Sequence, residues 1–130
     1  MKKLLILNSV FDPVTENSLA KLLLERFLVY SSEEQRRDIK IELYEDAIAE
    51  DFPSKIIPRG FDVYLIHPSD IELEDLVNLR TEQPKSRLYC MNRQPVLLEE
   101  DEKNVYDKIY PFLDQTKIEE ILKSTLELTK

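Results

Sequence analysis

Residues 61–76 read FDVYLIHPSDIELEDL, and this stretch decides the fold class. Val63–Ile66 is an uninterrupted run of β-formers, which is typical of a strand buried on both faces. A proline ends the strand, and His67, the only histidine of the chain, stands at its end. Ser69 and Glu72 have the spacing of a capping box and predict a helix that starts at once. In parallel sheets, ligands and chemistry are usually found at such a strand end.

Four further strands are predicted along the chain. Leu4–Leu7 is continuously apolar and predicts a second buried strand, whereas residues 39–44 alternate between apolar and polar types, as a half-exposed edge strand does. Residues 87–91 predict the fourth strand. Residues 109–113 (IYPFL) predict a short fifth strand that contains a proline and therefore belongs at an edge.

Helical segments are predicted between these strands. The inward face of the first helix is formed by Leu19, Leu22, Leu23, Phe27 and Tyr30, which recur at helical spacing. The charged segment at residues 31–38 is expected to end this helix. The acidic stretch at residues 98–109 predicts a later helix. Thr116 and Glu119 form a second capping box, so Thr116 is the predicted cap of the last helix.

This alternation of strands and helices predicts an α/β fold in three layers, with a parallel sheet between two layers of helices. The second and fifth strands are the expected edges, and the first, third and fourth are expected inside. The doubly wound, five-stranded order 2-1-3-4-5 satisfies both conditions. With 130 residues, the chain is predicted to be a single domain over residues 1–130.

The composition excludes several classes of protein. A formal charge of −8 argues against a nucleic-acid interface, which needs clustered Lys and Arg. No apolar run is long enough to cross a membrane, and the N-terminal segment is a predicted strand rather than a signal peptide, so we expect a cytoplasmic protein. Cys90 is the only cysteine and excludes an internal disulfide. Gly60 is the only glycine, which excludes phosphate loops that need several.

The element order and a central strand of the form DVYLIHP resemble the receiver domains of bacterial response regulators, which have a flavodoxin-like fold. That family carries an acidic pair after the first strand, a phospho-accepting aspartate after the third, Thr or Ser after the fourth and lysine after the fifth. The matching positions here are Asn8 and Ser9, His67, Met91 or Asn92, and Leu113 or Asp114. Without the acidic pair, no Mg²⁺ site is expected.

The resemblance therefore implies a degenerate receiver, or pseudo-receiver. Such a domain is a non-enzymatic signalling or protein-interaction module, which binds a protein partner or a second copy of itself and needs no cofactor or metal. In the receiver arrangement, the fourth helix and fifth strand form the usual interaction face. Tyr106, Tyr110 and Phe112 lie in that region and are the candidate interaction residues. The acidic run at residues 99–102 is either a solvated helix face or a docking surface for a basic partner.

A second resemblance implies a different function. Ser9 followed by Asn17, Ser18 and Leu19 is similar to the phosphate loop of flavodoxin-like flavin reductases, in which hydroxyls and backbone N–H groups hold the FMN phosphate. The alternative is therefore a protein that binds FMN or another phosphate-bearing ligand. The candidate ligand-binding residues are Ser9, Thr15, Asn17, Ser18 and His67.

Each of these residues also has a simpler explanation. Helix capping accounts for at least one residue of the first loop. His67 is either a phospho-accepting or acid–base group, or a hydrogen-bonded residue at a strand end. Asp12, Asp70 and Glu72 could hold a cation, but the last two are explained equally well by a helix dipole.

Overall fold

The computed structural model of the protein describes residues 2–7, 11–12, 17–44, 60–67, 71–91, 99–110 and 113–127. In chain order, the elements in these residues are β1 (Lys2–Leu7), β2 (Phe11–Asp12), β3 (Asn17–Ser18), α1 (Leu19–Tyr30), α2 (Glu33–Asp38), β4 (Ile39–Tyr44), β5 (Val63–Ile66), α3 (Leu73–Glu82), β6 (Arg87–Met91), α4 (Glu100–Val105), β7 (Lys108–Tyr110) and α5 (Gln115–Glu127). Among them, no helix is long and apolar enough to cross a bilayer.

Five strands form one parallel sheet in the spatial order β4-β1-β5-β6-β7. Numbered along the chain, these five strands have the order 2-1-3-4-5, so the predicted topology is confirmed. Leu4 of β1 lies opposite Ile41 on one side and Val63 on the other, which fixes the register of the three strands. The sequence did not predict β2 and β3, which pair antiparallel with each other.

Both faces of the sheet are covered by apolar side chains. On the face of α3 and α4, the buried cluster comprises Leu5, Phe61, Tyr64, Ile66, Ile71, Leu76, Leu79, Leu88, Cys90 and Tyr106. On the face of α1 and α5, it comprises Leu4, Ile6, Phe27, Ile39, Val63, Leu65, Tyr89, Met91, Tyr110, Ile118, Ile121 and Leu122. All four side chains of β5 are fully buried, and each burial contributes about 1.5–3 kcal/mol. A continuous apolar run is therefore required at β5.

The first helix agrees in part with its predicted inward face. Leu23, Phe27 and Tyr30 pack against the core as expected. Leu24, which was not predicted, packs there as well, Leu22 is half-buried, and the side chain of Leu19 is not described. The segment after α1 forms a helix of its own, α2, in which Ser32 and Gln35 make a reciprocal capping box.

The predicted capping box at Ser69 and Glu72 is wrong. The N-cap of α3 is Glu72, whose side chain makes no capping hydrogen bond, and Ser69 lies outside the described residues. Ile71 is buried in the core ahead of the helix, so the chain reaches the core before its first helical turn. Gly60, which precedes β5, has a φ of 63° that glycine adopts without steric cost.

The helix predicted over residues 98–109 is shorter in the structure. It ends at Val105, because the residues that follow join the sheet. Asp107 donates its N–H to the Leu88 carbonyl (2.8 Å), and its carboxylate accepts from Leu88 N (2.8 Å) and from the Arg80 guanidinium (2.7 Å). These bonds hold the chain against β6 directly after α4. Ile109 therefore lies in β7, and residues 111–112 of the predicted strand lie outside the described residues.

Thr116 was the predicted cap of the last helix, but the structure places the cap at Asp114. Asp114 Oδ1 accepts from Lys117 N at 2.9 Å, and α5 begins at Gln115. Thr116 lies within the first turn. An aspartate one position before the helix satisfies an orphan N–H and also interacts favourably with the helix dipole.

We expect Asp114→Ala to lower the free energy of unfolding by about 1 kcal/mol, because the Lys117 N–H loses its acceptor. Thr116→Ala is the matched control and should change it by less than about 0.5 kcal/mol. Urea unfolding followed by circular dichroism measures both. A larger loss for Thr116→Ala than for Asp114→Ala would contradict the assigned cap.

Candidate functional site

The carboxyl edge of the sheet is where the sequence places the candidate site. β1, β5 and β6 end there side by side, with Ile66 opposite both Leu7 and Cys90. His67 follows Ile66 directly and is half-buried. In a sheet of order 2-1-3-4-5, the chain leaves β1 and β5 towards opposite sides, so His67 stands at the topological switch point.

The structure does not assemble the other predicted ligand-binding residues around His67. Ser9 and Thr15 lie outside the described residues. Asn17 and Ser18 form β3, with their backbones opposite Asp12 and Phe11. The predicted pocket for FMN or another phosphate-bearing ligand therefore stays a prediction.

The other described positions that correspond to functional residues of receivers hold residues that pack in the core or cap a helix. Met91 ends β6 and is buried in the core on the α1–α5 face, and Leu113 packs against the same cluster. Asp114 caps α5. Within the described ranges, no group of three or more His, Cys, Asp or Glu side chains is placed to hold a metal ion.

The candidate interaction residues Tyr106 and Tyr110 are corrected by the structure. Tyr106 is 6% exposed and belongs to the core under α3 and α4, while Tyr110 is 2% exposed and packs edge-on against Tyr89 with ring centroids 5.8 Å apart. The two rings belong to the core clusters on opposite faces of the sheet. They do not form an exposed binding surface. Phe112 lies outside the described residues.

Cys90 is a buried thiol, as its apolar neighbours predicted. Burial raises its pKa to about 12, and the negative charge of Glu102 acts in the same direction, while a hydrogen bond with Tyr106 opposes them. Because the thiolate is the reactive form, this cysteine is neutral at physiological pH and is not a nucleophile.

A cluster of acidic residues lies on the described surface where α3 and α4 begin. Each helix follows a parallel strand, so both start at the carboxyl edge, and the two helices pack against each other. We call this the acidic surface; it comprises Glu72, Glu74, Asp75, Glu99, Glu100, Asp101 and Glu102. Asp75 and Glu102 are half-buried and the other five are exposed. Helix dipoles favour these carboxylates, so the surface costs little stability.

In the sequence, only residues 99–102 of the acidic surface were considered as a docking surface, and Glu72 was considered only as a helix-start residue or a cation ligand. Glu99–Glu102 stands out as a run, whereas Glu72, Glu74 and Asp75 are separated from it by more than fifteen residues of chain. The two groups of carboxylates could be related only through the topology. Two successive crossover helices on one face of a parallel sheet begin side by side.

A shallow depression of about 390 Å³ lies at the opposite, amino edge of the sheet. It is lined by Arg87, Tyr89, Asp107, Lys108, Ser124 and Glu127. Lys108 is bonded to Glu120, and Asp107 is bonded to Arg80, with Arg87 4.0 Å away. Most of the charges around this depression therefore already hold β6, β7 and their helices together.

Comparison with known proteins identifies the fold but no family. No protein-family model matches the chain, and no curated protein matches it. A CheY-like response regulator receiver domain from Methylobacillus flagellatus is similar in structure, with a TM-score of 0.68, 17% sequence identity, and coverage of 96% of this chain and 98% of that one. A structure from Burkholderia thailandensis assigned to pilus assembly (cpaE) has a TM-score of 0.65, 13% identity, and coverage of 97% and 98%. The chain has a receiver-like fold.

We expect Cys90 to be unreactive in the folded protein, because it is buried and its thiolate is disfavoured. At pH 8, a thiol reagent such as Ellman's should modify the urea-unfolded chain at least about a hundredfold faster than the native chain. The difference in unfolding free energy between wild type and Cys90→Ala should also fall as the pH rises from about 9, where the unfolded thiol ionises, towards about 12. Modification of native and unfolded chains at equal rates would contradict this account.

Proposed function

We propose that the chain is a non-enzymatic regulatory domain of the receiver type, which acts by binding a protein partner and does not take up phosphate at an aspartate. The observation that carries this proposal is the residue at the end of the third strand of the sheet. In a fold that matches a receiver domain over 96% of the chain, that position is His67, and an imidazole cannot form the acyl phosphate that a carboxylate forms.

The other positions support the same conclusion. Asn8 and Ser9 follow β1, so the carboxylate pair that would bind Mg²⁺ is replaced by neutral groups. At the end of β6 the chain has Met91 and Asn92 instead of a hydroxyl residue. Asp114 is engaged by the α5 backbone and offers no cation to a phosphoryl group. A cytoplasmic location and a role in bacterial signalling belong to the same proposal.

The acidic surface is the best-supported contact region for a partner. Its carboxylates lie on two adjacent helices, and the only basic side chains within α3 and α4 are Arg80, which is bonded to Asp107, and Lys103. Val77, on α3, is 44% exposed and adds an apolar contact. Such a surface suits a partner that presents Lys and Arg around an apolar group, because complementary charge speeds encounter and fixes orientation.

We expect no aspartyl phosphate when the purified protein is incubated with acetyl phosphate and Mg²⁺. A receiver domain with an intact acceptor aspartate is the positive control, and intact-mass spectrometry is the readout. A stable phosphoaspartate anywhere in the chain would overturn the proposal. An acid-labile phosphate that disappears in His67→Ala would also overturn it, since it would show that His67 is a phosphorylated nucleophile.

We expect the acidic surface to bind basic peptides more tightly than other acidic parts of the chain do. The variant Glu99→Gln/Glu100→Gln/Asp101→Asn removes three exposed charges from it, and Glu33→Gln/Glu34→Gln/Asp38→Asn removes three exposed charges from α2 as the matched control. A fluorescent amphipathic Lys/Leu peptide serves as the probe. Its Kd should rise at least about fivefold for the first variant and less than about twofold for the control. Equal changes in Kd for the two variants would contradict the proposal that the acidic surface is the contact region.

The FMN alternative gains no support from the described residues. It stays a prediction of the sequence. The absorbance of the purified protein between the near-ultraviolet and blue tests it directly, since bound FMN gives a flavin band there.

A further inference from the structure

β4 is an outer strand of the sheet. Within the described ranges, its only partner is β1, with which all six of its residues pair in parallel, from Ile39 opposite Lys2 to Tyr44 opposite Leu7. It contains no proline. Proteins usually protect such a regular edge by bulges, prolines or charges, because its open backbone groups can pair with another chain.

The register shows which backbone groups of β4 face outwards. Lys3 exchanges hydrogen bonds with Asp62 on the β5 side of β1. Since backbone groups alternate in direction along a strand, those of Leu4 point towards β4, where they meet the neighbours of its partner Ile41. The backbone groups of Lys40 and Glu42 therefore point to β1, and those of Ile41 and Leu43, with the carbonyl of Ile39, point to the side away from β1. The Ile39 N–H is already bonded to the Gln35 carbonyl at the end of α2.

The side chains of β4 are complementary to those of an antiparallel copy of the same strand. When two β4 strands are centred on Ile41, Ile41 lies opposite its own copy and Ile39 lies opposite Leu43 of the second copy. These residues have the outward backbone groups, and since the Ile39 N–H is already bonded to Gln35, the two strands exchange about four hydrogen bonds. Lys40 then lies opposite Glu42 of the second copy, twice in the pair.

Other registers lack this complementarity. The nearest antiparallel alternatives that preserve the hydrogen bonds shift the strands by two residues. One of them places Lys40 opposite its own copy, and the other places Glu42 opposite its own copy. Like charges directly opposite each other are destabilising, whereas opposite charges contribute about 0.2–1 kcal/mol per pair. The sequence of β4 therefore selects one register.

The side chains already lie on the appropriate faces. Ile41 and Leu43 are half-buried and pack against the core under α1, so pairing would extend that apolar layer across the two-fold axis. Lys40 and Glu42 lie on the other face, 4.0 Å apart, with side chains 57% and 24% exposed. Pairing would place four alternating charges side by side.

We infer that β4 is a self-association edge, through which two copies of the chain pair antiparallel about Ile41 and join their two sheets into one. This inference goes beyond the proposed function, because it concerns the sheet edge remote from β7 and makes no use of the acidic surface. It differs from the expectation that any homodimer would form through the last strands and helices.

Charge exchange tests this register. By sedimentation velocity, wild type should show a concentration-dependent monomer–dimer equilibrium that weakens with salt. Lys40→Glu alone or Glu42→Lys alone should raise the dimer Kd at least about tenfold, since each places like charges opposite each other. An equimolar mixture of the two variants should form a heterodimer, and the double variant Lys40→Glu/Glu42→Lys should dimerise like wild type.

Lys85→Glu, an exposed change in the turn after α3 with the same effect on net charge, is the control and should leave the Kd within about twofold of wild type. Hydrogen exchange gives an independent readout without any variant: the amides of Ile41 and Leu43 should become protected as concentration rises, whereas that of Ile39 is already bonded to Gln35. A wild-type chain that is monomeric up to about 1 mM overturns the inference. A dimer that is insensitive to both single charge changes overturns it as well.

Discussion

The constraint on which the rest of the structure depends is the burial of β5 on both faces. Val63, Tyr64, Leu65 and Ile66 are all fully buried, two towards each helical layer. β1 has the same character, with Leu5 on one face and Leu4 and Ile6 on the other. Two such strands must lie inside a sheet that has helices on both sides, and the parallel doubly wound topology provides this arrangement.

Double-sided burial also explains which features could be predicted from the sequence. The continuous apolar runs at Leu4–Leu7 and Val63–Ile66 are local sequence patterns that predict a position in the tertiary fold. Only a strand inside a parallel sheet is buried on both faces and needs such a run. These runs identified two interior strands, while the alternation in residues 39–44 and the proline in residues 109–113 identified the two edges. Helix starts were less predictable, since Asp114 and Thr116 are both reasonable caps and only the structure shows that Asp114 accepts from the Lys117 N–H. At α3 the cap is Glu72, without a side-chain capping bond, although Ser69 and Glu72 have the spacing of a capping box.

The candidate site was harder to predict, because its residues depend on which side of an element faces the core. Tyr106 lies next to Asp107 and Tyr110 next to Pro111 in the sequence, and only the three-dimensional structure shows that both rings are buried. Asp107 has no sequence signature, yet its bonds to Arg80 and Leu88 end one helix and start β7. The acidic surface needs the topology as well, since it combines the starts of two helices that are distant in the chain.

We propose that interaction chemistry lies on the outside of this receiver-like fold rather than in its switch-point crevice. The most direct test is an amide NMR titration of the labelled protein, first with Mg²⁺ and phosphate and then with increasing concentration of the protein itself. The account predicts that Mg²⁺ and phosphate cause no saturable shifts at Leu7, His67 or Met91, and that protein concentration shifts the amides of β4. Saturable shifts at those three residues, with β4 unchanged, would contradict it.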